Sequence, residues 1–297
     1  MSGGRPAIAA DLVGRSTAPV HTEVDRRWTM AYAAGIDDVA GVYLDSSASA
    51  GIVAHPLFPV CVEWPVIVAA GSALPALGLV ERSGATGLHA AHDLTIHRLV
   101  RPDETLRTEL TVIGVASTRP GALVTLALRT SGPGGEPVAT TRQDLLYLGA
   151  AVTGADRPAP PSDVPGRPDA VPAAGHHTIA VRAGAAHVYT ECARIWNPIH
   201  TDAAVGAARG LASLPLHGTA TLALAVSRLV DAYGDGDPAT VRRIAGRFRA
   251  MVPMPCELTL TVSEPRAVDG GTARWFEVRT PEGAAAIDGG CAVMSSR

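Results

Sequence analysis

Two short groups of residues in the second half of the chain carry side chains that could move a proton. Residues 189–202 read YTECARIWNPIHTD, in which NPIH is a polar island within an Ala-rich stretch. Proline stiffens the backbone and ends a preceding helix, so the imidazole of His200 follows a rigid corner. His217 and Gly218 then open an apolar segment that is predicted to be a long buried helix. A histidine beside the free N–H groups of a helix start could shuttle a proton next to a polarised carbonyl.

The composition is that of a folded chain and argues against nucleic-acid binding. Of the 297 residues, 47% are hydrophobic and 18% are charged, which suits one large or two ordinary domains. The net charge is −3 and all 25 basic residues are arginines without a basic run, so we expect no nucleic-acid partner. Arginine without lysine, with abundant Ala, Gly and Pro, suggests a GC-rich bacterial genome.

We expect a cytoplasmic protein that does not cross a membrane. The first residues carry no apolar signal-peptide region. The most apolar stretch, Val66 to Val80, is interrupted by Gly71, Pro75 and Gly78, so it predicts a core helix and not a membrane span. The four cysteines form no Cys-x-x-Cys pair and are expected to be reduced, mostly buried thiols.

A proline-rich stretch divides the chain into two nearly equal halves. Residues 153–176 are dense in proline and small residues, a linker composition expected to be extended and to pack poorly. We therefore assign residues 1–152 to an N-terminal domain and residues 177–297 to a C-terminal domain that carries the site.

The two halves show a faint internal repeat. Tyr32 stands eleven residues before Tyr43, as Tyr189 does before His200, and an aspartate follows two residues later in each half. Each half continues with an apolar helix-like segment, at 58–79 or at 219–233, and with a tail of alternating residues and turns that predicts antiparallel strands. This order predicts an α+β fold in which a curved sheet wraps a central helix twice. The two half-sheets could join edge to edge and hide their exposed edges.

The C-terminal half resembles the MaoC-like family of (R)-specific enoyl-CoA hydratases and 3-hydroxyacyl-thioester dehydratases. The positions that match the family's motif are Tyr189, Asn197, Pro198, Ile199, His200, Asp202, His217, Gly218, Arg247, Phe248 and Leu258. The N-terminal half resembles the degenerate, non-catalytic domain of two-domain members. The resemblance implies a double hotdog, in which each half is one hotdog and the two form a pseudo-dimer.

The same resemblance implies the roles of the main site residues. In the family an Asp and a His hold a water between them, and the N–H of the Gly in His-Gly binds the thioester oxygen. His200 is by this resemblance the acid/base, and the Gly218 N–H is the oxyanion donor. Physical chemistry agrees, because helix-start N–H groups stabilise enolate-like charge and a histidine titrates near neutrality.

One position departs from the family. The family's catalytic Asp lies five residues before the His, and here that position is Ile195, whose side chain can neither orient water nor take a proton. Glu191, one helical turn earlier, could replace the Asp if the segment is helical. Asp202 accompanies an intact Asp in the family, which indicates a structural role.

Other site residues have a structural alternative beside the functional one. Asn197 is placed with the catalytic group, and the competing interpretation is a local backbone brace. His217 is placed with substrate binding, although it could simply shape the helix start. Arg243 and Arg247, within the arginine cluster at 242–249, would suit CoA or carrier phosphates through bidentate contacts, with a solvated strand face as the alternative.

Further polar residues of the first half are interpreted as structural. His55 and Glu63 resemble the His and Glu of acyl-carrier-protein dehydratases, but their spacing is too short. Asp38 stands opposite the position of the missing Asp, yet Tyr43 replaces the histidine, so we build no second site there. The group His89, His92, Asp93 and His97 could suggest a metal site. We expect none, because His89 and His92 are three residues apart in a predicted strand and would point to opposite faces.

The expected reaction is reversible hydration of 2-enoyl thioesters, or dehydration of 3-hydroxyacyl thioesters, on CoA or an acyl-carrier protein and without a cofactor. The degenerate first half would widen the acyl tunnel for bulky or branched chains. Because of Ile195, a cyclase or isomerase that uses the substrate's own hydroxyl and a catalytically inactive acyl-thioester-binding subunit stay open, and a thioesterase is a further option. The family also implies a homodimer.

Overall fold

The computed structural model describes residues 6–73 and 87–295, which contain six α-helices and thirteen strands. The helices are α1 Arg26–Gly35, α2 Gly41–Leu44, α3 Pro59–Ala73, α4 Ala185–Ala193, α5 Ala203–Ala208 and α6 Gly218–Tyr233. The strands of the first half are β1 Ala7–Ala9, β2 Val20–Val24, β3 Gly87–Ile96, β4 Glu104–Ser117, β5 Gly121–Ser131, β6 Pro137–Leu148 and β7 Ala151–Thr153. The strands of the second half are β8 Ala173–Val181, β9 Val241–Phe248, β10 Cys256–Ser263, β11 Arg266–Val268, β12 Gly271–Arg279 and β13 Ala285–Met294.

Eleven of the strands form one continuous sheet that confirms the internal repeat. The order is β2-β4-β5-β6-β3-β9-β13-β12-β10-β8, with β11 beside β12. The first half contributes β2-β4-β5-β6-β3, and the second contributes the equivalent series β8-β10-β12-β13-β9 in reverse. Strands β3 and β9 pair antiparallel from Ala91 opposite Arg247 to Thr95 opposite Arg243. The half-sheets therefore join edge to edge, as expected, because each inner edge would otherwise expose unpaired backbone groups.

Each half places one apolar helix against its part of the sheet, which confirms the α+β prediction. Helix α6 begins at the predicted boundary, and its buried residues include Leu222, Val226 and Leu229 on successive turns. Helix α3 buries Val62 and Val66 in the same way. The predicted helix at 58–79 and the apolar stretch ending at Val80 continue past Ala73 into residues that lie outside the described part of the chain. Apolar residues all around a helix indicate that sheet and neighbouring helices enclose it.

Helices α1 and α4, one from each half, pack against each other near the centre of the molecule. The rings of Tyr32 and Tyr189, which the repeat places in equivalent positions, have centroids 5.9 Å apart. A Cβ on Gly35 would lie 2.7 Å from the Cβ of Cys192, so only glycine allows the helices to approach this closely. The contact ties the two halves together beneath the shared sheet.

The proline-rich segment packs more closely than its composition predicts. Asp163 forms an ion pair with Arg243 on the sheet, and the Trp275 indole N–H donates to the Pro165 carbonyl at 2.9 Å. Val171 joins a buried cluster with Trp275 on the outer face of the sheet. Most residues of the segment are exposed, in agreement with a linker, and these few contacts hold it on the sheet.

The structure also bears on the expectations of reduced cysteines and of no membrane-spanning helix. Cys61 and Cys291 are buried, Cys192 and Cys256 are partly buried, and all four are free thiols. None of the helices within residues 6–73 and 87–295 combines the length and apolar character that crossing a bilayer requires.

Candidate active site

A cavity of about 450 Å³ lies between the two halves, and we call it the interdomain cavity. The second half lines it with Ile195, Trp196, Asn197, Pro198, Ile199, His200, Val205, Arg209, His217, Gly218 and Thr219. The first half lines it with Val60, Trp64, Ile67, Val68, Ala70, Gly87, His89, Leu126, Gln143, Leu145 and Tyr147. Largely apolar walls with a few convergent polar groups are typical of a small-molecule site.

The NPIH run forms a tight corner that directs His200 into the interdomain cavity. Helix α4 ends at Ala193, and Arg194 then adopts the left-handed conformation with φ of 57°. The Asn197 side chain accepts a hydrogen bond from the Ile199 N–H at 3.4 Å and caps the short 3₁₀ turn Pro198–His200. The Nδ1 atom of His200 lies 2.9 Å from the Pro215 carbonyl oxygen. A carbonyl can only accept, so Nδ1 carries the proton and Nε2 holds the free lone pair.

His200 and His217 stack face to face on the cavity wall. Their ring centroids are 3.7 Å apart with planes inclined by 25°, and His217 Nε2 lies 3.2 Å from the Thr190 hydroxyl. Burial lowers the pKa of His200 below its ordinary value. The pKa of His217 is lowered further, first by burial and then by repulsion from His200. Both rings are therefore neutral near pH 7, and His200 is available as a base.

Helix α6 begins at the same wall. His217 is its N-cap residue and makes no side-chain cap, and within the described part of the chain the N–H groups of Gly218 and Thr219 have no backbone partner. The Thr219 hydroxyl is occupied by Tyr189, whose O–H donates to it at 3.0 Å. A Cβ on Gly218 would lie 3.0 Å from the Phe248 ring, which explains the glycine. Donors at a helix start, close to a neutral histidine, form an environment that favours negative charge on a bound oxygen.

Ile195 and Glu191, the two other positions discussed for the missing carboxylate, differ in whether they reach the interdomain cavity. Ile195 is 6% exposed and lines the interdomain cavity, so an apolar side chain does occupy the family's Asp position. Glu191 does not line the cavity; it is exposed, and its carboxylate accepts from the Trp196 indole at 3.4 Å. The condition under which Glu191 could share a helix face with Ile195 is not met, because the left-handed Arg194 ends the helix between them.

The two arginines predicted to bind phosphates lie on the opposite face of the sheet. Phe248 points inward to Gly218, and neighbouring strand residues alternate, so Arg243 and Arg247 point outward. Arg243 forms a bidentate pair with Asp93 at 2.7 Å, and Arg247 pairs with Asp288 at 2.6 Å. The geometry therefore contradicts their assignment to the substrate site and agrees with the alternative of a strand face.

Several cavity residues were missed by sequence reasoning. Arg209 is exposed at the cavity, and within the described residues its guanidinium makes no ion pair. His89 also lines the cavity, and its ring contacts His92 at a centroid distance of 5.3 Å. The expectation that these two histidines point to opposite faces was wrong, because a β-bulge between His89 and Ala91 adds one residue to the alternation. No set of three or more potential metal ligands comes together in residues 6–73 and 87–295.

The first half has a polar group at the equivalent of the site in the second half. The rings of Tyr43 and His55 lie 5.6 Å apart and are tilted by 52°, whereas His200 and His217 are stacked. His55 Nε2 lies 3.2 Å from the Ser227 hydroxyl, and burial lowers its pKa to about 3. Asp38 lines a separate cavity of about 400 Å³, and burial raises its pKa. The Leu57 N–H donates to His55 Nδ1 at 3.1 Å, so both ring nitrogens of His55 are engaged, and a phenol stands where the second half has His200.

Comparisons with known proteins agree with both halves of this description. Residues 174–282 match the family described as MaoC like domain, and residues 11–141 match the family described as FAS1-like, dehydratase domain region. No curated protein sequence matches the chain significantly.

Solved structures of similar fold cover nearly the whole chain. A MaoC-like dehydratase from Phytophthora capsici shares 20% identity and a TM-score of 0.79, over 96% of this chain and 97% of that one. The peroxisomal multifunctional enzyme type 2 of Drosophila melanogaster has 20% identity and a TM-score of 0.71, over 93% of this chain and 48% of that longer enzyme. A conserved hypothetical protein of Mycobacterium tuberculosis, described as a double hotdog, has 16% identity and a TM-score of 0.60, over 95% and 96%. The chain thus has a double hotdog fold, in which the C-terminal half matches the MaoC like domain and the N-terminal half matches the FAS1-like dehydratase region.

Proposed function

We propose that this protein reversibly hydrates 2-enoyl thioesters and dehydrates 3-hydroxyacyl thioesters, carried by CoA or an acyl-carrier protein. The observation that carries the proposal is the meeting of His200 with the free N–H groups at the start of α6 on one wall of the interdomain cavity. The family of the C-terminal half, which acts on acyl thioesters, supports it. Arg209 at the cavity offers a cation for the phosphates of the carrier.

In the proposed dehydration, His200 acts as both base and acid. Its Nε2 takes the proton from the α-carbon, and negative charge develops on the thioester oxygen, where the Gly218 N–H donates to it. The electron pair then forms the C=C bond as the bond from the β-carbon to its hydroxyl breaks. His200 returns its proton to the departing oxygen, which leaves as water. Hydration follows the same steps in reverse, and the protein and substrates supply every group without a cofactor.

Ile195 favours a second candidate, ring closure by a hydroxyl of the substrate. An apolar side chain at the cavity cannot hold a free water for attack. A substrate hydroxyl could instead give its proton to His200 while its oxygen bonds to the β-carbon of the enoyl thioester. The proton then passes to the α-carbon, and the product is an isomer of the substrate. The Gly218 N–H would stabilise the same thioester oxyanion in this reaction.

The test follows enoyl-thioester absorbance after the protein is mixed with crotonyl-CoA and a longer 2-enoyl-CoA. We expect turnover that falls at least about a hundredfold in His200→Ala and persists in His176→Ala, an exposed histidine on β8. Unchanged turnover in His200→Ala would refute the assignment of the base. Turnover with no simple enoyl-CoA, together with isomerisation of a hydroxylated enoyl-CoA, would favour the cyclase.

The pH dependence provides an independent check on the base. Burial lowers the pKa of His200, so its neutral form persists below the ordinary histidine range near 6.5. We expect the acidic decline of kcat/KM for dehydration to have its midpoint below the ordinary histidine value of about 6.5. A midpoint at or above that value would contradict a buried neutral histidine.

A further inference from the structure

The wall of the interdomain cavity that the first half contributes is not purely apolar. Gln143 and His89 line it beside Leu126 and Leu145. Gln143 is only 3% exposed, so its carboxamide is shielded from bulk water. Burial of a carboxamide or imidazole is unfavourable when a hydrogen-bonding group is left without a partner. These side chains would therefore be poorly matched to a hydrocarbon chain.

Strand register gathers further polar groups behind this wall. His92 pairs with Gln143 across β3 and β6, and the bulge after His89 turns both histidine rings to the same side. His92 is 1% exposed. Among the described residues, no hydrogen-bond partner exists for Nε2 of His89 or for either ring nitrogen of His92. We call His89, His92, Gln143 and the adjoining Glu63 the polar wall.

Glu63, on α3, sets the orientation of the Gln143 carboxamide. The carboxyl group is 1% exposed and accepts hydrogen bonds from the Thr141 hydroxyl and from Gln143 Nε2, the latter at 3.4 Å. Because Nε2 is directed at Glu63, the Oε1 atom of Gln143 is left to accept from a ligand. His89 Nε2 offers a second hydrogen-bonding atom on the same wall.

The polar wall also lies close to Gly218, where the proposed function places the thioester oxygen in the interdomain cavity. His89 packs edge-on against Phe248 with centroids 4.9 Å apart, and Phe248 in turn contacts Gly218. A thioester oxygen at the Gly218 N–H would thus lie near His89. An acyl chain that runs along the wall of the first half would pass polar side chains close to the reacting carbons.

We propose that the polar wall binds a hydroxyl group carried by the acyl chain beyond the reacting carbons, so that the substrates are hydroxylated acyl thioesters. This inference rests on the proposed function for the thioester but adds the class of acyl chain. A site built to bond an oxygen discriminates strongly against the analogue without it, because its own buried groups are then left unpaired. Ordered water could form hydrogen bonds with the same groups, and the experiment distinguishes bound water from a hydroxyl of the acyl chain.

The test measures binding and not turnover, so it does not depend on the reaction. Isothermal titration would compare hexanoyl-CoA with its ω- and (ω−1)-hydroxylated forms, all saturated and unreactive. We expect one hydroxylated thioester to bind at least about tenfold more tightly, since one well-made hydrogen bond is worth about that factor. The preference should fall to about one in Gln143→Leu and persist in Leu126→Met, a variant of an apolar position on the same wall.

His89→Phe provides a second variant that leaves the Glu63 contact intact, in case Gln143→Leu does not fold. Its preference for the hydroxylated thioester should also fall. Equal affinity of the wild type for plain and hydroxylated chains would overturn the proposal and assign the polar wall to bound water. A preference that survives in both variants would overturn it as well. Failure of the proposed hydratase activity alone would leave these affinities unchanged.

Discussion

Replacing Glu63 with Gln should make the folded protein more stable at alkaline pH. Burial between its own helix α3 and strand β6 raises the pKa of Glu63 from 4.5 to about 7, although Thr141 and Gln143 both donate hydrogen bonds to it. In the unfolded chain the same carboxyl group titrates near its ordinary value. Between these two pH values the folded protein binds the proton and the unfolded chain does not, so stability falls as the pH rises.

The magnitude follows from the two pKa values. The interval from 4.5 to about 7, at about 1.4 kcal/mol for each pH unit, corresponds to about 3 kcal/mol of lost stability above pH 7. Glutamine has no such titration and keeps a similar shape. The difference in unfolding free energy between Glu63→Gln and the wild type should therefore grow by about 2–3 kcal/mol from pH 5 to pH 9. The buried histidines titrate in both proteins and cancel in this difference.

The assay is urea unfolding of the wild type and Glu63→Gln at several pH values between 5 and 9. Glu23→Gln is the matched control, because Glu23 is exposed on β2 and its replacement should leave the pH dependence unchanged. A difference that does not vary with pH would mean that Glu63 ionises equally in the folded and unfolded states. That result would refute the argument that burial dominates at this position.

Three further substitutions test separate parts of the site. Ile195→Asp should raise hydration of crotonyl-CoA at least about tenfold in the absorbance assay, because it returns a carboxylate to the cavity beside His200, whereas Ile195→Asn should not. Gly218→Ala should lower kcat and reduce the unfolding free energy by about 1–3 kcal/mol in urea titrations, because the new Cβ meets the Phe248 ring at 3.0 Å. Unchanged kcat and unchanged unfolding free energy would contradict the close packing at Gly218. Arg243→Ala should lower Tm in calorimetry and leave KM unchanged, since its guanidinium joins the linker to the outer face of the sheet; a raised KM would restore it to the substrate site.

Local patterns in the sequence were sufficient for the elements and for the active-site corner. The apolar period of α6, the tails of alternating residues and the repeat of Tyr32 and Tyr189 predicted two equivalent halves, because periodicity and turn chemistry act over short stretches of chain. The turn around His200 was also readable, since proline and a capping Asn197 constrain the backbone wherever they occur.

Residues far apart in the sequence gained their roles only through the tertiary structure. The linker region was recognised from its prolines, but its packing on the sheet depends on Arg243 and Trp275, which lie far along the chain. A single left-handed residue, Arg194, took Glu191 away from the cavity. A single bulge brought His89 and His92 together, because one added residue reverses the face of every later side chain.

The sequence by itself determined that this chain repeats an α+β unit and carries a histidine before a glycine-started helix. Only the tertiary structure decided what faces that histidine. The cavity has one wall from each half. The polarity of its lining therefore depends on residues such as Gln143 and Ile195, which lie far apart in the sequence and share no local pattern. Burial sets the pKa of Glu63 and of His200, and it leaves Nε2 of His89 without a partner among the described residues. It depends on how the whole sheet closes around the helices.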